Sequence, residues 1–141
     1  MDQTTAEFWQ NHSVRFLEMV VSTDKRGSID NADGYGHAGR ECGDSLEIYL
    51  NVDDDTIRSA YFETDGCFYT VACGNAVVHL VEDKTIGEAS ALRTSHILDY
   101  LETLPEGEIH CAEMAIRSLR LALEDLRENN RQPWKKFYRK K

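Results

Sequence analysis

Apart from one N-terminal helical segment, strands gather in the first half of this chain and helices in the second, the order of an α+β domain. Three observations predict it. Leu46, Ile48, Leu50 and Val52 alternate with polar or amphipathic residues, the period of a strand buried on one face. Asp53-Asp54-Asp55 then makes a turn, and residues 57–62 return as the second arm of a hairpin. Beyond it, Val71, Gly74, Val78 and Val81 recur at helical spacing. Ala112, Ala115, Leu119, Ala122, Leu123 and Leu126 line one face of a final helix whose other face carries Glu113, Arg117, Arg120, Glu124 and Arg127.

At 141 residues the chain suits one domain, long enough to bury roughly two-thirds of its unfolded surface. We expect that domain to span residues 1–130, with residues 131–141 as a basic and aromatic tail. The tail holds six of the sixteen Lys and Arg residues and none of the twenty-five carboxylates, which leaves residues 1–130 at −15. An acidic body argues against nucleic acid as a ligand, because neutralising phosphate needs a basic surface. No apolar run reaches the length of a membrane span and Met1-Asp2-Gln3 starts no secretory signal, so no membrane contact and a cytoplasmic location are expected. In that reducing setting the four cysteines read as free, catalytic or metal-bound.

Thr4-Thr5-Ala6-Glu7 has the form of a capping box, and Phe8, Trp9, Phe16, Leu17, Val20 and Val21 can face one side of a helix over residues 4–21. Such a helix is short for independent stability and needs something to dock against. Residues 22–42 are rich in Gly, Asp, Asn and Ser and read as loop, with a short edge strand at 35–40. Thr85 and Glu88 open one short helical piece, and Ser95 begins another turn with Ile97, Leu98 and Leu101. Leu104-Pro105-Glu106-Gly107 is a turn, and Glu108-Ile109-His110-Cys111 leads into the last helix, with His110 on the non-helical approach.

Chemistry concentrates where the strands end. Cys67 follows Gly66 at the change from strand to helix, and unpaired backbone N–H groups at a helix start favour a thiolate. The hairpin brings Cys42 to the same end, and Cys111 stands at the start of the last helix. Cys42, Asp44, Cys67, His110 and Cys111 therefore make one candidate site. No C-x-x-C pair is present, and 24 and 43 residues separate the three thiols, so the signal lies in the elements rather than the spacing. Thiolates suit zinc or iron–sulfur clusters, and a histidine or carboxylate can complete four ligands. Cys73 lies about 240° around the helix from Cys67 and shares a stripe with Val77 and Leu80, which reads as a small buried hydrophobe.

Glu41-Cys42-Gly43-Asp44, Thr64-Asp65-Gly66-Cys67 and Leu104-Pro105 through Ile109-His110-Cys111 resemble the three signature segments of the IscU/NifU-type iron–sulfur cluster assembly scaffold. The resemblance runs from about Gly39 to Leu126. It implies an α+β fold with a small, about three-stranded antiparallel sheet covered by helices and the site at one exposed end. It also implies a non-enzymatic scaffold that receives persulfide sulfur from a cysteine desulfurase, takes up iron, builds a [2Fe–2S] cluster and passes it to apo iron–sulfur proteins. By position, Cys42, Cys67 and Cys111 would be sulfur acceptors and cluster ligands, Asp44 would tune lability, and His110 would be a ligand. Cys111 would be the first persulfide acceptor, and zinc would fit the same pocket.

Departures from the family pattern accompany the resemblance. Leu-Pro-Pro-Val-Lys reads Leu104-Pro105-Glu106-Gly107-Glu108 here, which argues against the dedicated chaperone as a partner. Phe68 and Tyr69 replace small residues after Cys67, and Cys73 replaces a usual serine. Two alternatives stand beside the scaffold: a zinc-containing, SufU-like sulfurtransferase that relays persulfide, and a structural zinc domain.

Overall fold

A computed structural model describes residues 12–39 and 44–131. Three strands, β1 (Gly34–Gly39), β2 (Ser45–Asp53) and β3 (Thr56–Thr64), form one antiparallel sheet in the order β1-β2-β3. The helices are α1 (Val14–Val21), α2 (Phe68–Val81), α3 (Ile86–Ser90), α4 (Thr94–Leu101) and α5 (Ile109–Arg131), with a 3-10 turn at Glu106–Glu108 ahead of α5.

The alternation in β2 predicts which face is buried. Leu46, Ile48 and Leu50 are inaccessible to solvent, and register sets them opposite Ala38, Gly36 and Gly34 of β1. On β3 the inward positions change parity: Ile57 is buried, and so are Ala60 and Phe62. A bulge explains this. Val52 pairs with Ile57 but Asn51 with Ser59, so Arg58 is an extra residue that restores the apolar set to one face. Asp54, at φ 60°, makes the turn between the two strands, a left-handed position that Asp tolerates.

Helices α2 and α5 cover the inner face. Helix α5 lies directly on β1, where a Cβ on Gly36 would meet the Ser118 carbonyl oxygen at 2.1 Å. The Ser118 hydroxyl donates to the Leu46 carbonyl oxygen at 2.8 Å. Helix α2 lies on β3 through Gly74, whose missing side chain leaves room for the Phe62 ring. The middle of α2, from Ala72 through Val78, is buried, because it sits between the sheet and the helices α1, α4 and α5.

The free edge of β3 is covered at both ends. Phe62 exchanges backbone hydrogen bonds with Lys25 and Gly27, and Ile57 with Lys84 and Asp83. Of the loop expected at residues 22–42, the part before β1 thus guards an edge. The short strand expected at 35–40 forms as β1.

Helix α1 is docked on the body. Ser13 caps it, accepting from the Phe16 amide at 3.0 Å and donating to the Leu101 carbonyl oxygen at 3.0 Å. Phe16 and Met19 are buried, and Asn75 donates to the carbonyl oxygens of Met19 (2.6 Å) and Ser22 (3.0 Å). Lys25 and Glu82 form a half-buried ion pair nearby. The capping box expected at Thr4 and Glu7 lies outside the described residues. Val21, expected on the buried stripe, is 65% exposed, because the helix turns Phe16 and Met19 inward instead.

Two boundaries shift. Thr85 and Glu88 form the expected capping box at α3, but α4 starts after Arg93, whose amide donates to His96 Nδ1 at 2.9 Å, rather than at Ser95. Helix α5 begins at Ile109, so His110 belongs to its first turn and not to a non-helical approach. The same helix runs one residue past the expected end of the domain, to Arg131; residues 132–141 lie outside the described residues.

Candidate metal and sulfur site

The site lies at the sheet end where β2 begins and β3 finishes. Register sets Leu46 against Thr64, so Asp44 and the Asp65-Gly66 loop share that end. The Asp65 carboxylate accepts from the Ser45 amide at 2.9 Å and the Ser45 hydroxyl at 3.4 Å. Thr64 Oγ1 donates to the Ser45 carbonyl oxygen at 2.5 Å and accepts from the Gly66 amide at 3.0 Å. These bonds tie the segment holding Asp44 to the turn that delivers Cys67.

Cys67 is the N-cap of α2, with extended backbone (φ −73°, ψ 179°), and its side chain makes no capping bond, leaving an exposed thiol. Gly66 is needed for close approach: a Cβ there would lie 2.7 Å from Thr70 Cβ. Thr70, fully buried, donates in turn to Cys111 Sγ at 3.5 Å. The 66–67 turn, the first turn of α2 and the first turn of α5 are thereby packed in sequence.

Cys111 is 1% exposed. Its thiol donates to Glu108 Oε2 at 3.7 Å, and His110 Nε2 lies 3.6 Å from the same oxygen. Burial pushes the Cys111 thiol up to about 11. The Thr70 hydrogen bond works against that rise, while the negative charges of Cys67 and Glu108 add to it. A thiol near a helix start is therefore held protonated here, because desolvation outweighs the helix-end field. Cys73 is fully buried, as its position on the stripe implied, and burial raises its thiol well above the usual range. Cys67, Cys111 and Glu108 all act on it electrostatically.

Phe68 and Tyr69 form an aromatic wall beside Cys67, their rings 4.4 Å apart, with Phe68 41% exposed. Burial raises the Tyr69 hydroxyl, with Glu108 and Cys67 adding to the effect. Tyr69 also meets Phe16 of α1 at 5.8 Å between ring centres, which links the docked helix to the site.

Of the five candidate residues, Cys111 and His110 share Glu108 Oε2, and the turn that ends in Cys67 packs toward Cys111 through Thr70. Asp44 shares the sheet end. Cys42 lies outside the described residues. Among the described residues, one group of three has ligand atoms within 4.8 Å of one another, and it is Glu108, His110 and Cys111. Sequence reasoning missed Glu108 and Thr70 as parts of the site. For Glu108 the signal was present: a carboxylate three residues before a cysteine at a helix start, where the family pattern has lysine.

A three-stranded antiparallel sheet with helices on its inner face and soft and hard donors at one end defines the IscU/NifU class of α+β scaffold fold. The chain belongs to the family of the NifU-like N terminal domain, whose model matches residues 13–133. It is 35% identical over 119 residues to the iron–sulfur cluster assembly scaffold protein IscU of Escherichia coli, covering 81% of this chain and 92% of that protein. It is 34% identical over 105 residues to an IscU scaffold protein of Archaeoglobus fulgidus, covering 74% of this chain and 69% of that one. Among solved structures, a protein described as an iron–sulfur cluster assembly scaffold for the SUF system, from Fervidobacterium islandicum AW-1, superimposes with TM-score 0.65 at 20% identity. That match covers 81% of this chain and 97% of the other.

Proposed function

We propose that this chain is a cytoplasmic scaffold on which a labile [2Fe–2S] cluster is assembled from iron and desulfurase-derived persulfide sulfur, then passed to apo iron–sulfur proteins. Cys42, Cys67 and Cys111 hold the cargo by sulfur, while Asp44 and His110 complete or loosen the site. The chain turns over no substrate of its own. The observation that carries this reading is the packing, through Thr70, of the turn that ends in Cys67 against Cys111, from elements far apart in sequence, with His110 beside Cys111 and Asp44 at the same sheet end. The names of the relatives support it. The donor set fits the cargo: thiolates match a soft cluster, and a carboxylate oxygen matches it poorly, which suits a site that must also release. Zinc fits the same donors.

Anaerobic reconstitution with ferrous iron, cysteine, a cysteine desulfurase and a thiol reductant, which supplies the electrons that bring persulfide sulfur to sulfide, tests the proposal. The wild type gains visible charge-transfer absorbance and acid-labile sulfide, and Cys42→Ala, Cys67→Ala and Cys111→Ala each lose them. Asp44→Ala slows the decay of the spectrum. A wild type that accumulates and passes on persulfide without ever colouring is a sulfur relay instead. With a core continuous from Phe16 to Leu126, the chelated chain is expected to keep its cooperative melt. Unfolding on chelation would point to a structural zinc domain.

A further inference from the structure

Thr70 stands in the first turn of α2 and is fully buried. A hydroxyl in that position needs a partner, because burying it without a hydrogen bond is costly. Among the described residues that partner is Cys111 Sγ, at 3.5 Å and on another helix. The side chain is pinned from its other side. A Cβ on Gly66 would lie 2.7 Å from Thr70 Cβ, 2.7 Å from its Oγ1 and 2.9 Å from its Cγ2. A threonine in a helix otherwise divides between two rotamers. With both branches against the turn that delivers Cys67, the hydroxyl stays on Cys111. Glu108 meets the same sulfur differently. It accepts the thiol proton at 3.7 Å, so that bond ends when Cys111 binds through deprotonated sulfur. The Thr70 bond persists, and a hydroxyl that donates to anionic sulfur is held more strongly than one that donates to a thiol.

We propose that Thr70 is a positioning residue for the cargo: its hydroxyl fixes Cys111 Sγ and donates to that sulfur while Cys111 holds the cluster. A donor to ligand sulfur withdraws electron density from it, one of the levers by which a protein tunes an iron–sulfur group. The same side chain sets the spacing of two thiol-bearing segments, since it fills the space between the Gly66 backbone and Cys111. The effect on cargo rests on the scaffold reading. The contact between Thr70 and Cys111 does not.

The test uses the full chain and two variants. Thr70→Val keeps the branched shape and loses the hydroxyl, and Thr70→Ser keeps the hydroxyl. Each is reconstituted anaerobically with ferrous iron, cysteine, a cysteine desulfurase and a thiol reductant. Without the hydrogen bond the sulfur is a better electron donor, so the sulfur-to-iron charge-transfer bands of Thr70→Val move to longer wavelength, and Thr70→Ser restores the wild-type bands. Thr70→Ala repeats the measurement where valine does not fold. A second measurement needs no cargo. In stripped, reduced protein, urea midpoints are compared for wild type, Thr70→Val, Cys111→Ala and the double variant. Cys111→Ala strands the buried hydroxyl, so Thr70→Val is better tolerated in that background than in the wild type, and the two changes are not additive. Unshifted bands in a coloured Thr70→Val, an equal shift in Thr70→Ser, or additive midpoints overturn the proposal. The two readings fail in different ways. A coloured wild type with unshifted Thr70→Val retires the role of Thr70 alone. A wild type that stays colourless with non-additive midpoints retires the scaffold, and with it the effect on cargo, and leaves Thr70 as a packing partner of Cys111.

Discussion

Gly36→Ala adds a single methyl group between β1 and α5, and the structure says how badly it fits. The new Cβ would lie 2.1 Å from the Ser118 carbonyl oxygen, 2.4 Å from the Ala122 nitrogen and 3.0 Å from the Leu121 carbonyl carbon. All three are backbone atoms of a long helix, held by their own hydrogen bonds, so no side chain can swing aside. Strand and helix must separate by about 1 Å to bring the shortest contact to a tolerable distance, and a gap of that size forfeits a quarter to a half of each dispersion contact across the interface. Overpacking in cores costs about 1–3 kcal/mol, and an immovable backbone neighbour puts this substitution at the upper end, about 3 kcal/mol. For a chain of this size that lowers Tm by roughly 10 °C. Urea denaturation of the stripped protein reads the free energy directly, and two substitutions calibrate it. Gly107→Ala meets nothing within 4 Å and stays within about 0.5 kcal/mol of wild type. Gly74→Ala would come 2.5 Å from the Phe62 ring, a side chain that can tilt, and falls between the two. A Gly36→Ala variant within about 1 kcal/mol of wild type refutes the close packing of α5 on β1.

The Cys111 thiol, pushed up from an ordinary 9.0 to about 11, carries about a hundredfold less thiolate at pH 8 than a free thiol. In chelated protein, iodoacetamide therefore modifies the exposed Cys67 first, and the Cys111 rate climbs until about pH 11; peptide mapping that finds the two equally fast at pH 8 contradicts the burial argument. Because the folded state holds this proton more tightly than the unfolded chain, its contribution to stability is complete below about pH 9 and is lost as pH rises through about 11. Cys73→Ser buries a hydroxyl in an apolar surround and lowers stability by about 1–3 kcal/mol, with Cys73→Ala costing less. Metal binding and sulfur loading stay as in wild type, and loss of either in the alanine variant would make Cys73 a member of the site.

Local pattern sufficed for the elements with a clean period. The alternation in β2, the three-and-four spacing of α2 and α5 and the Thr85–Glu88 cap each name a period or a turn chemistry that neighbours alone impose. Cys67 as the residue before α2 followed from Gly66 and the change of period, and its exposure could not. Whether a thiol is exposed or desolvated depends on what other segments lie over it. Cys67 and Cys111 look alike in sequence, each at a helix start, yet one is open and the other is covered by Thr70 and Glu108.

The order of strands and helices, the three signature segments and the acidic body belong to the sequence, because each is written in residues close together or in a sum over all of them. The parity change at Arg58, the seating of α5 on two glycines of β1, and the carboxylate–imidazole–thiol cluster at Glu108, His110 and Cys111 were decided by the tertiary structure. Each depends on distances of 2–4 Å between groups whose separation only packing sets. A bulge appears when a partner strand fixes the register, and a carboxylate becomes a candidate ligand when the turn beneath it brings it within reach of sulfur.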